Sequence, residues 1–120
     1  MSDAENRQSP RIVRSFMVRY RAPTTGRTGW LVSPLRDLSS SGVRFVCEKA
    51  FGVGSILEME LLLPTSKQPV PLNAKVVWTK PVQWGMVELG ATFEPVDATV
   101  QQRIDEAVAY SLRKQQEKGE

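Results

Sequence analysis

The sequence predicts a small, mainly β domain: about six antiparallel strands followed by one C-terminal α-helix. Three observations carry this expectation. Short segments between Phe16 and Phe93 alternate apolar and polar side chains with a period of two. Between them lie clusters of glycine, proline, serine and threonine. After Pro95 the apolar spacing lengthens to that of a helix. Alternation alone does not separate a closed barrel from a two-sheet sandwich. A small barrel with the helix across one side or mouth is the expected arrangement.

Met1 to Arg11 is polar and shows no apolar period. Pro10 pushes Ser9 out of the α region, so Arg7 and Arg11 are not expected on a regular helix. This tail is too polar to pack alone and is expected to be mobile when free. Phe16 to Arg21 follows as a half-buried strand, with Phe16, Val18 and Tyr20 on one face. Ala22 to Gly29 is a turn region. Trp30 to Leu38 reads as a second strand in which Pro34 signals an edge, a bend or a bulge. Gly42 to Glu48 alternates again, turning Val43, Phe45 and Cys47 inward.

Gly52 and Gly54 mark the next turn, and Ser55 to Leu63 places Leu57, Met59, Leu61 and Leu63 on one face with Glu58 and Glu60 facing solvent. Val70 to Thr79 aligns Leu72, Ala74, Val76 and Trp78, a register that favours a core position for Trp78. Lys80 to Trp84 turns at Pro81, and Gly85 to Phe93 gathers Val87, Leu89, Ala91 and Phe93. The helical stripe then runs through Val100, Ile104, Ala107, Val108, Ser111 and Leu112. Asp97 or Thr99 is the candidate cap, Thr99 with Gln102 at capping-box spacing. The expected organisation is a single domain: a flexible tail over 1–15, a barrel over 16–97 and a helix over 98–118.

Composition narrows the function classes. The 120 residues are 41% hydrophobic and 24% charged, enough for an ordinary core without disulfides or a metal. One cysteine, Cys47, permits no intramolecular disulfide and reads as a small core residue. There is no histidine, which removes the usual general base, the Ser-His-Asp arrangement and most transition-metal sites. The chain therefore reads as a binder with no metal and no catalytic residues, not an enzyme. A net charge of +3 and a pI near 9.3 fall short of the charge density of a non-specific DNA binder. An OB-type or cold-shock-type nucleic-acid barrel is disfavoured because the aromatics are spread singly. No apolar run approaches the ~20 residues of a membrane span, and the N-terminus has no apolar signal core, so a cytoplasmic protein is expected.

Two short stretches can carry ligand chemistry. Arg7 and Arg11 lie four apart in the tail, and arginine forks match phosphate oxygens and stack on bases. The plainer reading is a solvated basic tail. Asp37-Leu38-Ser39-Ser40-Ser41-Gly42 offers a carboxylate, three hydroxyls and a glycine. The carboxylate suits the N–H donors of a guanine edge, and glycine admits close approach of a ligand. The plainer reading is a serine or Asx turn between strands.

Together, Arg7-x-x-x-Arg11 and, one hairpin later, Asp37-x-Ser39-x-x-Gly42 resemble the signature of the PilZ domain family. The strand after the arginines, Gly90-Ala91-Thr92-Phe93 in the last strand and the C-terminal helix fit the same pattern, so the likeness runs from about Arg7 to Leu112. The resemblance implies a six-stranded β-barrel that binds the bacterial second messenger cyclic di-GMP on an outer face. It implies that Arg7 and Arg11 contact phosphates and guanine, and that Asp37, Ser39 and Gly42 line the guanine site. Arg14 adds a nearby charge, and Trp78 is a candidate stacking residue because some relatives carry an aromatic in this strand. With both motifs complete and no output domain expected beside them, the chain is expected to be a stand-alone receptor without a cofactor that signals by ligand-induced ordering and contact with an effector protein. The alternative is a PilZ-like interaction module that binds no nucleotide and docks partners through an exposed Trp84 or Trp30.

Overall fold

The computed structural model describes residues 16–23, 29–48 and 51–119, the last five as backbone only. The expected flexible tail, with Arg7, Arg11 and Arg14, lies outside these residues. Among the described residues six strands, β1 (Met17–Arg21), β2 (Leu31–Leu38), β3 (Gly42–Cys47), β4 (Ile56–Leu62), β5 (Val70–Pro81) and β6 (Val87–Phe93), are followed by one helix, α1 (Ala98–Gly119). The strands close into a barrel in the order β1-β2-β3-β6-β5-β4, every neighbouring pair antiparallel. Closure pairs β1 with both β2 and β4 and leaves the sheet no free edge. That settles barrel against sandwich.

The inward alternation builds the core. Val18, Tyr20, Leu35, Phe45, Cys47, Leu57, Met59, Leu61, Val70, Ala74, Val76 and Leu89 are all buried. Ser33 also points inward, and its hydroxyl is satisfied by the Val46 carbonyl at 2.9 Å. Helix α1 docks through Ile104 and Ala107, both fully buried, with the Tyr110 ring 6.2 Å from that of Phe16. Leu112, at the end of the expected stripe, is 54% exposed at the rim of a cavity that it lines with Phe16, Leu35 and Val108. Of the two candidate caps Asp97 is the one used. Its carboxylate accepts the Val100 N–H at 2.9 Å, an interaction typically worth ~1 kcal/mol.

Two bulges break the alternation. In β2 the register shifts between Leu35 and Asp37, so the irregularity signalled by Pro34 falls at Arg36 rather than at an edge. In β5 it shifts between Val76 and Trp78, with Val77 as the extra residue. This overturns the core position expected for Trp78. The inserted residue reverses the faces beyond it, and Trp78 lies on the outer surface, 39% exposed. Strand β5 also runs on to Pro81, and the following connection tightens into a 3-10 turn at Gln83–Gly85.

Tyr20 is packed between the rings of Phe45 and Phe51, with centroids at 4.8 and 6.2 Å. Burial, then the neighbouring Cys47 and Glu48, pushes its phenol from 10.0 up to about 12. The folded state therefore holds the proton more tightly than the unfolded chain. The resulting stabilisation is complete below pH 10 and is lost as pH rises toward 12. An absorbance titration of the two tyrosines is expected to show a late phenolate phase. Tyr20→Phe should abolish that phase and flatten the alkaline fall in stability. An unchanged late phase in the variant would refute the assignment.

Candidate functional site

An open groove of about 330 Å³ crosses the outer face of β2, β3, β6 and β5, lined among others by Asp37, Ser39, Gly42, Arg44, Trp78 and Gly90. Strand registry explains why these residues meet. Asp37 pairs with Arg44, Arg44 with Gly90, and Gly90 with Trp78. One lateral row thus spans four strands, roughly 14 Å at about 4.8 Å per strand spacing. Each bulge lies immediately before a row member, Arg36 before Asp37 and Val77 before Trp78, and each turns that residue outward.

Ser39 shapes the loop at the end of the row. Its N–H donates to the Gly42 carbonyl at 2.9 Å, and its Oγ accepts the N–H groups of Ser41 at 3.2 Å and Gly42 at 3.1 Å. The serine-turn reading is thus realised in full, whatever else the hydroxyl does. The Ser40 carbonyl accepts from Gln101 Nε2 at 2.9 Å, which ties the loop to α1. Gly42 meets a demand of the barrel itself. A Cβ there would sit 2.4 Å from the Ala91 carbonyl oxygen, so β3 and β6 approach closely only because the side chain is absent.

Gly90 plays a similar part beneath the aromatic. A Cβ at Gly90 would meet Trp78 Nε1 at 2.3 Å and Cε2 at 2.5 Å, so the indole rests directly on the glycine backbone. Beside it runs a charged ladder. Arg44 Nη1 donates to Glu88 Oε2 at 2.7 Å, Arg44 Nε stands 4.0 Å from Asp37 Oδ2, and Lys80 Nζ stands 4.0 Å from Glu88 Oε1. The Glu88 side chain is only 8% exposed, whereas that of Asp37 is 67% exposed and faces the groove.

The groove therefore brings together Asp37, Ser39, Gly42 and Trp78. Arg7, Arg11 and Arg14 lie outside the described residues. Sequence reasoning missed Arg44, and it named Gly90 only as part of the last strand, not as a lining of the groove. A glycine inside an alternating strand does signal a close approach, and Arg44 occupies an outward position two residues beyond Gly42. The arrangement offers an aromatic face, a carboxylate acceptor and guanidinium donors on one surface, suited to a flat polar heterocycle.

Elsewhere on the barrel, Glu58 and Glu60 face outward as expected but are paired, with Arg21 at 2.7 Å and with Arg19. Arg21 covers the Trp30 ring at 4.2 Å. Trp84 is 91% exposed at the β5–β6 turn, in the left-handed region with φ 64°. Among the described residues no cluster of acidic or cysteine side chains has the makings of a metal site. No helix among them is long and apolar enough to cross a membrane.

Several solved structures share this fold. They include MrkH of K. pneumonia in its apo state, at 14% identity and TM-score 0.70 over 93% of this chain and 55% of that one. YcgR from Escherichia coli, solved in complex with c-di-GMP, matches at 16% identity and TM-score 0.67 over 87% of this chain and 44% of that one. The Bacillus subtilis inhibitor of motility MotI/DgrA matches at 16% identity and TM-score 0.66 over 85% of this chain and 47% of that one. The chain spans about half the length of each. No curated protein matches its sequence. The family model of the PilZ domain matches residues 5–110, nearly the whole sequence, and the chain belongs to the PilZ domain family.

Proposed function

We propose that the groove binds cyclic di-GMP and that the protein is a cytoplasmic receptor for it, not an enzyme. The observation that carries this reading is the outward-turned Trp78 on the same lateral row as Asp37. The indole supplies a stacking face for a purine, and the carboxylate supplies the acceptor that the guanine N1–H and N2–H donors require. Two fold relatives, YcgR and MrkH, have been solved as complexes with c-di-GMP, which supports the same ligand here. In this reading Arg7 and Arg11 neutralise the two phosphates and Ser39 and Gly42 hold the loop that presents Asp37. Arg14 is peripheral. Binding orders the segment that carries the arginines, and the changed surface is read by an effector protein.

Isothermal titration calorimetry with cyclic di-GMP, and with cyclic di-AMP and GTP as controls, tests the reading. Saturable binding of cyclic di-GMP alone is expected, and its stoichiometry distinguishes one nucleotide from a stacked pair. Arg11→Ala should weaken binding by roughly 10- to 100-fold, as loss of a charge-assisted hydrogen bond does, and Arg14→Ala by far less. Equal losses would mean diffuse charge attraction in place of a shaped site. Amide exchange of residues 4 to 14 should slow at saturating ligand.

Trp84 favours a second reading. A tryptophan 91% exposed and held at positive φ suits a partner-docking tip. Absence of any binding heat, together with Trp84-dependent capture of a partner that is indifferent to cyclic di-GMP, would establish the nucleotide-independent module instead.

A further inference from the structure

We propose that Arg44 is a base-reading residue of the groove, acting with Asp37 to select guanine over adenine. The inference rests on the cyclic di-GMP reading above and adds the determinant of base identity. A guanine edge presents two donors, N1–H and N2–H, beside two acceptors, O6 and N7. A carboxylate satisfies only the donors. Reading the whole edge requires an N–H donor set next to that carboxylate, and an arginine fork is the group that matches O6 and N7. Adenine places a donor where guanine has O6 and an acceptor at N1, so the same pair would meet it with donor against donor and acceptor against acceptor.

The geometry supplies such a pair. Asp37 and Arg44 are direct cross-strand partners, and both line the groove. Their closest atoms, Arg44 Nε and Asp37 Oδ2, are 4.0 Å apart. At that distance they are neighbours without a closed hydrogen bond, so the carboxylate remains open to a ligand. Arg44 is also held in advance. Its Nη1 donates at 2.7 Å to Glu88, whose side chain is 8% exposed and which Lys80 approaches from the other side at 4.0 Å. Among the described residues Nη2 has no partner, which leaves it two N–H donors. In the row Arg44 lies between Asp37 and Gly90, over which the Trp78 indole rests. A purine stacked on that indole brings its edge toward the Asp37–Arg44 pair.

Two variants test this. Arg44→Lys keeps the charge and a partner for Glu88 but loses the planar fork. Arg44→Met combined with Glu88→Gln removes the fork without stranding a buried carboxylate, and is compared with Glu88→Gln alone. Folding of each is verified by thermal unfolding, and affinities are measured by calorimetry with cyclic di-GMP and with cyclic di-AMP as competitor. Both variants are expected to lose about 10- to 100-fold in cyclic di-GMP affinity against their references, with cyclic di-AMP gaining on cyclic di-GMP by a similar factor. Binding of cyclic di-GMP within about threefold of the references would overturn the role of Arg44 and leave the receptor reading intact. A wild-type protein that binds no cyclic di-GMP would overturn the receptor reading, and this inference with it.

Discussion

Trp78→Ala is expected to weaken cyclic di-GMP binding by roughly 5- to 150-fold, the equivalent of the ~1–3 kcal/mol that stacking a base on an aromatic ring supplies. The barrel should remain folded, because Trp78 sits on its outer face, with its indole against Gly90. Trp78→Phe keeps a ring and should recover part of the loss. Gly90→Ala approaches the same point from below. Its new Cβ would lie 2.3 Å from the indole Nε1, and the indole can lift away by rotating, so the platform is displaced while the strands stay paired. Calorimetry of the three variants, with thermal unfolding in parallel, is the measurement. If Trp78→Ala binds as tightly as the wild type, the groove does not stack a purine, and the nucleotide must be sought elsewhere on the surface.

Gly42→Ala should produce the opposite profile, a loss of stability first and of binding second. Here the clash is with backbone. The Ala91 carbonyl oxygen, 2.4 Å from the new Cβ, belongs to the neighbouring strand and cannot rotate away. Strands β3 and β6 must separate at the Gly42–Thr92 and Val43–Ala91 pairs. Overpacking of this kind costs about 1–3 kcal/mol. For a domain of this size that lowers the thermal midpoint by roughly 4 °C per kcal/mol. Gly29→Ala is the control, since nothing lies within 4 Å of the added atom and no shift is expected. A midpoint for Gly42→Ala that matches the control would mean that the strands yield without cost, and that the glycine serves the ligand rather than the barrel.

These two glycines show what a sequence discloses and what it withholds. The alternation from Phe16 to Phe93 located all six strands because each has one face in a common core, and that pattern is local. The pairing of β1 with β4, which closes the barrel, joins residues about forty positions apart and leaves no local trace. Asp37, Ser39 and Gly42 were visible as a motif, but the reason for Gly42 lies in a strand fifty residues away. Trp78 was placed on the wrong face for a more instructive reason. The bulge residue is itself a valine, so Val76-Val77-Trp78 reads as an unbroken apolar run, and counting by twos passes through it without notice. Arg44 was overlooked because an outward arginine in a strand is unremarkable until its cross-strand neighbours are known.

The extra residue in β5 has a genetic corollary. Loss of the Val77 codon would remove the bulge and make the Val76–Ala91 and Trp78–Gly90 pairs consecutive, so Trp78 would keep its outward face, whereas keeping Val77 and losing the bulge would turn Trp78 to the interior. The groove's aromatic wall is thus set by the pairing of Trp78 with Gly90 and not by the number of residues before it. Two relatives aligned without a gap at this point can carry the same tryptophan on opposite sides of the barrel wall. When the domain is compared across genomes, a glycine at the cross-strand position of Gly90, on which the outward indole rests, is the character that marks chains able to present this aromatic to a ligand.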